Sequence, residues 1–410
     1  MTLDTDATGA TGATLTYRRL FSVGGFARLA GGAVFSRTAV GLIQVALVLY
    51  VLQTFRSPAL AGLVVFLSVA PGLAVSPIAG ALLDRHGRIR MILLDYCVAM
   101  LTMLLLAALA AADRLSAPLL LVIIGVSSLT GPLSMSGNRS LFPLVVPREL
   151  WDRANAVDSG SQALAMVIGP ALAGALIAWV GGPGAFVATA LLYALAAVLL
   201  VGFEDPQTAH GHAPPLLVSA WQALVFVLKH PTLRGIMLTL WCGNLGFGAV
   251  IVGLPLLVFT RFHWGADAVG NLWALSGVAT VASGLYFGRM RTEGRERAIV
   301  AFGMGVSALA ILVMVISTTP VMLVASMFLA GASAAPMDLG LFALRQRRTD
   351  PAWFGRVIAV SMSLNYAGSP VGSALAGPIL AHSLALALVV AAAMSALGAV
   401  VPFIAIPRKG

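Results

Sequence analysis

The chain has 410 residues, of which 59% are hydrophobic and only 10% charged, with a mean hydropathy of +0.96. A soluble core cannot hide that much apolar surface, so lipid has to be the solvent for much of it. The net charge of +10 does not point to nucleic acid. The basic residues fall in short breaks between long apolar runs, where the preference of Lys and Arg for one side of a membrane already explains them.

Residues 1–19 read as a disordered cytoplasmic tail. They are rich in Thr, Gly and Ala, carry Asp4 and Asp6, and lack the basic start and apolar core of a signal peptide. About twelve apolar runs follow, at 29–55, 60–83, 89–112, 117–139, 155–179, 184–203, 234–260, 268–288, 298–317, 320–342, 356–381 and 384–406. Each is long enough to cross a bilayer as a helix, which predicts an all-α membrane protein. Cys97 and Cys242 both lie inside apolar runs. They read as small buried hydrophobes, with no metal or redox spacing.

The connections alternate in character. Those after the odd-numbered runs are short, such as Arg56-Ser57-Pro58 and Asp113-Arg114. The others hold the charge: with both termini cytoplasmic, 21 of the 25 Lys and Arg residues fall on the cytoplasmic side. Only Arg56, Arg114 and Arg261 fall outside, and Arg37 lies within a run. The segment from Glu204-Asp205-Pro206 to Pro214-Pro215 reads as a linker. His210 and His212 within it lack a third ligand, so no metal site is expected. Leu216–Lys229 is too short to span and reads as an interfacial helix. The predicted organisation is a six-helix bundle at 20–203, a linker at 204–233 and a second six-helix bundle at 234–406.

The two halves repeat each other. Leu141-Phe142-Pro143-Leu144 matches Leu341-Phe342-Ala343-Leu344, and Arg153 precedes Gly174 by the 21 residues that separate Arg356 from Gly377. Repeats of this kind argue for duplication, with the halves facing each other across a cavity. Between the second and third runs stands Gly80-x-x-x-Asp84-Arg85-x-Gly87-Arg88. Placed there, it closely resembles the cytoplasmic loop between helices 2 and 3 of the major facilitator superfamily. Its counterpart at Gly284–Arg297 lacks the acid. The resemblance covers about residues 20–405 and implies a transporter of two pseudo-symmetric six-helix bundles. The stretches Pro143–Gly174 and Ala352–Arg356 resemble the macrolide-efflux and enterobactin-exporter branch, which implies drug–proton antiport. Gly169, Pro170 and Gly174 resemble the antiporter motif of the fifth helix, with Ala165 and Ala173 standing where that motif has glycine. That branch further implies a monomer in a bacterial-type plasma (inner) membrane.

In the loop, Gly80 and Gly87 free the backbone where the chain reverses. Asp84 supplies a charge suited to a helix N-terminus. In relatives that N-terminus belongs to helix 11, here near Trp353–Arg356, which would lock the two halves together. Arg85 and Arg88 would pair with carboxylates of neighbouring helices, Asp158 first among them.

Ionisable and amide groups inside the runs are few, and each is a candidate, because an isolated charge in lipid is costly. Helices 1, 4, 7 and 10 line the cavity in this fold, which directs Arg37, Gln44, Asn244 and Asp338 into it. Asn365 and Tyr366 lie midway along helix 11, and Asp95, close to a cytoplasmic end, is assigned to the loop network. For the two asparagines, hydrogen bonding between helices is the competing role. Asp338 is the expected proton carrier, with Arg37 facing it across the cavity. The chain holds no HExxH and no nucleophile–base pair, so neither an enzyme nor a cofactor is expected. The function expected is proton-driven export of amphipathic small molecules. The alternative is a facilitator-type importer or lysolipid carrier of the same fold.

Overall fold

In lipid, a backbone must satisfy its hydrogen bonds within its own segment, and every long apolar run is accordingly helical. The computed structural model describes residues 17–205, 225–290, 292–348 and 351–407. Most of the expected tail lies outside the described residues, as does 206–224 of the linker with His210 and His212. Residues 225–229, the end of the expected interfacial helix, are helical.

The helices are α1 (Tyr17–Phe21), α2 (Phe26–Thr54), α3 (Pro58–Leu67), α4 (Ala70–His86) and α5 (Arg88–Ala111). Then come α6 (Ala117–Ser127), α7 (Gly131–Val145), α8 (Trp151–Leu200), α9 (Pro231–Thr260) and α10 (Ala266–Phe287). The last four are α11 (Glu296–Ile316), α12 (Pro320–Arg348), α13 (Pro351–His382) and α14 (Leu384–Ala405). No strand occurs among the described residues.

With α3 running into α4 and α6 into α7 across short breaks, ten segments of the described residues are long and apolar enough to cross a bilayer, against about twelve expected. The difference has two sources. The 50 residues of α8 make about 75 Å of helix, more than two hydrocarbon thicknesses. The helix is broken at Gly181, whose φ of 70° and ψ of −174° are not helical, so its two legs serve as separate crossings. The other is α13, 32 residues long.

Several helices outrun their apolar stretch. The fourth crossing continues to Val145 rather than stopping at 139, and the tenth to Arg348 rather than 342. Hydropathy marks the part that lipid solvates, whereas backbone hydrogen bonds carry the helix onward into water. At the opposite end the turns are short and capped. Ser57 accepts from the Leu60 amide with Pro58 in the first turn, and Ser383 accepts from Leu386.

The cores show how the helices are grouped. One large cluster draws residues from both halves, including Leu47, Val51, Val64 and Ile177 with Leu254, Val258, Val269 and Leu380. It lies toward the end with the short connections. At the basic end the clusters are separate: one joins Leu20, Ile89, Leu141 and Leu150, the other Leu233, Val300, Leu341 and Ile406. The halves meet where α10 lies on α8 and α13 on α3. At the first crossing a Cβ on Gly174 would lie 2.6 Å from the Ala266 carbonyl and 2.8 Å from the Gly270 Cα. Only glycine lets the two backbones approach so closely. Outward-facing Val122, Leu191, Leu285 and Ile404 are exposed, as a lipid-solvated surface requires.

Candidate transport cavity

Four helices share a gradient of exposure along one face. On α2, Val40 and Gln44 are exposed, whereas Leu47 and Val51 on the same stripe are buried. On α8, Gln162 and Met166 are exposed and Ala173 and Ile177 buried. On α9, Phe247 is 45% exposed, while Leu254 and Val258 are inaccessible. On α12, Asp338 is exposed and Leu323 and Met327 buried. All four faces open toward the basic end and close into the shared cluster. That gradient is the pattern of a cleft between the two groups of helices, open at one end.

Arg37 reaches from α2 to α8. Its Nη2 donates to Asp158 Oδ1 at 2.6 Å, and its Nη1 donates to the Asp158 carbonyl at 2.9 Å and to Ser161 Oγ. The charges are half-withdrawn from water, and the two parallel contacts fix the fork of the guanidinium. This corrects two expectations. Asp158 is not the partner of Arg85 or Arg88, and Arg37, expected to face Asp338 across the cavity, is engaged by Asp158. An arginine takes the carboxylate on the helix it packs against, and α2 lies along α8.

The remaining embedded groups divide. Gln44 faces the cavity. On α12, Leu341 and Leu344 share a cluster with α9, Gly331 meets α10 and Gly340 meets α11. Asp338 occupies the face left between α9 and α10. Asn244 donates through Nδ2 to the Asn365 carbonyl at 2.9 Å, so it ties α9 to α13. Asn365 is buried, and the Tyr366 side chain lies outside the described residues.

The loop lock is not formed among the described residues. Asp84 is 63% exposed and pairs with Arg88 at 3.0 Å, one turn away on its own loop. Arg85 is exposed, and no hydrogen bond joins this loop to the second half among the described residues. Gly87, at φ 91°, does make the turn. Gly80 has open space around it. An anion does meet a helix N-terminus here, but it is Asp205, whose Oδ2 accepts from the Ile89 amide at 3.2 Å. Sequence reasoning left Asp205 in the linker, because nothing local shows that residue 205 returns to residue 89.

The glycine–proline motif has two faces. Gly169 presses on Gly41 of α2, where a Cβ would lie 2.8 Å from that backbone. The Pro170 carbonyl and Gly174 face Gly270 of α10. The motif is thus the joint at which α8 touches both halves. Asp95 was also misplaced by sequence reasoning. It is 5% exposed, and its Oδ1 accepts from Thr130 Oγ1 at 2.6 Å, away from the loop network.

Paired helical groups that seal one end of a polar-lined cavity and leave the other open define a membrane transporter. The chain belongs to the Major Facilitator Superfamily, whose family model matches residues 29–291 and 236–410. It is 35% identical to an MFS-type transporter of Sinorhizobium fredii, y4rN, over 94% of this chain and 96% of that one. It is 28% identical to the multidrug efflux pump Tap of Mycobacterium tuberculosis, over 83% of each chain. Among solved structures, the nucleoside transporter NupG superposes with a TM-score of 0.74 at 13% identity, covering 93% of this chain and 100% of that one. A bacterial homologue of the iron transporter ferroportin gives 0.71 at 17% identity, covering 93% and 98%. At such identities the two structures speak for the fold alone.

Proposed function

We propose that the protein is a secondary active exporter of amphipathic small molecules, a drug, siderophore or secondary metabolite, working by alternating access in exchange for protons. The observation that carries this reading is the exposure gradient on four helices, which we read as a cavity open at the basic end and sealed at the other by the cluster that both halves share. Its apolar walls, from Val40, Met166 and Phe247, surround a few polar groups, Gln44, Gln162 and Asp338. That mixture suits cargo with an apolar body and a polar or cationic end. Relatives named as multidrug efflux pumps support the outward direction.

In this reading the basic end and both termini are cytoplasmic in a bacterial-type inner membrane, and one chain encloses one complete cavity and acts as a monomer. Cargo enters from the cytoplasm. Closure then brings the Asp84 loop to the N-terminus of α13, while the α8–α10 and α3–α13 crossings part. Asp338, reached by cavity water, exchanges the proton.

Ethidium accumulation in cells with and without the protein tests the proposal. Lower accumulation with the wild type, reversed by collapse of the proton gradient, is expected. Higher accumulation would favour the importer and overturn export. A cysteine at Arg88 or Arg295 should react with impermeant thiol reagents only after the membrane is opened.

A further inference from the structure

Asp95 is a carboxylate in the wrong place for the loop network. It lies seven residues into α5, about 10 Å from that helix's basic end, and is 5% exposed. None of the ion pairs among the described residues involves it. Its Oδ1 is 2.6 Å from Thr130 Oγ1, and a second hydroxyl, that of Ser134, also faces it.

Thr130 belongs to a helix break. Residues 128–130 interrupt the fourth crossing between α6 and α7, and Ser68 and Val69 interrupt the second between α3 and α4. The two breaks are neighbours, because a Cβ on Gly72 would strike the Ser128 carbonyl and lie 3.3 Å from Pro132. Broken helices within a membrane protein free backbone groups, and they recur where ions or protons are handled. The adjoining residue continues the polar core. Tyr96 donates to Ser36 of α2 at 2.9 Å and accepts from Asn138 of α7 at 2.9 Å, and Asn138 Oδ1 is buried with no partner.

Burial without a cation points to a proton. Thr130 Oγ1 carries one hydrogen, yet it lies 2.6 Å from Asp95 and 3.1 Å from the Ser127 carbonyl. Thr130 gives that hydrogen to Asp95 Oδ1 at the shorter contact, and among the described residues no cation pairs with the acid, so a proton is what neutralises it. An ionised Asp95 would keep a bare charge among hydroxyls, which is costly at this depth. The other titratable groups around it are Tyr96 on its own helix, Tyr193 on α8 and Arg37 on α2, the last committed to Asp158.

We infer that Asp95 is a second proton-binding site of the transport cycle, loaded in this open conformation and emptied when the break at Thr130 rearranges. The inference deepens the antiport reading and rests on it for its role. Its existence as a site can be tested apart from any cargo.

Purified protein is treated with dicyclohexylcarbodiimide, which modifies protonated carboxyls in apolar surroundings, and the adducts are mapped by mass spectrometry. Labelling of Asp95 that falls as pH rises, and that changes in Thr130→Val, is expected. Absence of the Asp95 adduct at mildly acidic pH overturns the site. In proteoliposomes, the ratio of ethidium flux with and without a pH gradient is then compared for wild type, Asp95→Asn and Asp338→Asn. Loss of gradient stimulation in Asp95→Asn supports the coupling role, and a wild-type ratio overturns it. If wild-type protein moves no ethidium, export of that dye fails as a reading, while the labelling result still decides the site.

Discussion

The two ends of this molecule are held by different physics. The sealed end is apolar and close-packed: Gly174 lies against Gly270 and Gly62 against Ser373, with leucines and valines of both halves around them. The basic end holds most of the charge, and among the described residues its clusters stay within each half. A seal of small residues and aliphatic side chains is broad and all-or-none, because a clash at one crossing separates the whole face. A seal of charges is local and weak in water, so it can be released by one group at a time. Alternation needs both kinds, one at each end.

The largest expected effect comes from breaking the packed end. Gly174→Leu places a side chain where even a Cβ meets backbone at 2.6 Å, an overpacking that costs about 1–3 kcal/mol. Because the clash falls on the joint between halves, transport should be lost. A thermal-unfolding midpoint below wild type, with flux absent, checks both parts. A variant that transports normally would show that α8 and α10 do not hold the seal.

Breaking the charge pair inside the first half should cost about as much in stability but less in transport, because it does not fall on the joint between halves. Arg37→Gln leaves Asp158 half-buried without its cation, a loss of about 1–3 kcal/mol. Asp158→Asn in the same chain should restore part of it, and the double-mutant cycle measures the coupling. Additive losses would mean that the 2.6 Å contact contributes nothing.

The loop should respond least in stability and most in conformation. Asp84 is exposed and its pair with Arg88 is an (i, i+4) surface contact, worth about 0.3–0.5 kcal/mol. Asp84→Asn should therefore leave the melting temperature of the open form near wild type. It should nonetheless shift the population toward the open basic end, because the contact it loses exists only when that end is closed. An unshifted population would remove Asp84 from the closing device.

These contrasts also explain what was legible in the sequence. Crossings were readable because lipid demands unbroken apolar stretches. Partner choice was not, since helices apolar on most faces give no sign of which neighbour each face meets. Hence Arg37 was matched to Asp338 instead of Asp158, and Asp95 was assigned to the loop rather than to the break at Thr130. Asn244 could be read only as either a cavity group or a tie between helices; its bond to the Asn365 carbonyl makes it a tie. The unformed lock was illegible for another reason. A motif encodes the contacts of one conformation and says nothing of which conformation is populated.

The most direct test of alternation measures both ends in one preparation. With Cys97 and Cys242 replaced by serine, spin labels at Glu149 and Glu293 report the basic end, and labels at Asp113 and Thr318 report the other. All four positions are exposed. Their distance distributions are recorded in wild type, with Asp84→Asn, and with ethidium across a range of pH. The account predicts two populations at each end, with every condition that shortens the basic-end distance lengthening the other. A single unchanging distance at both ends, or ends that open together, would contradict it.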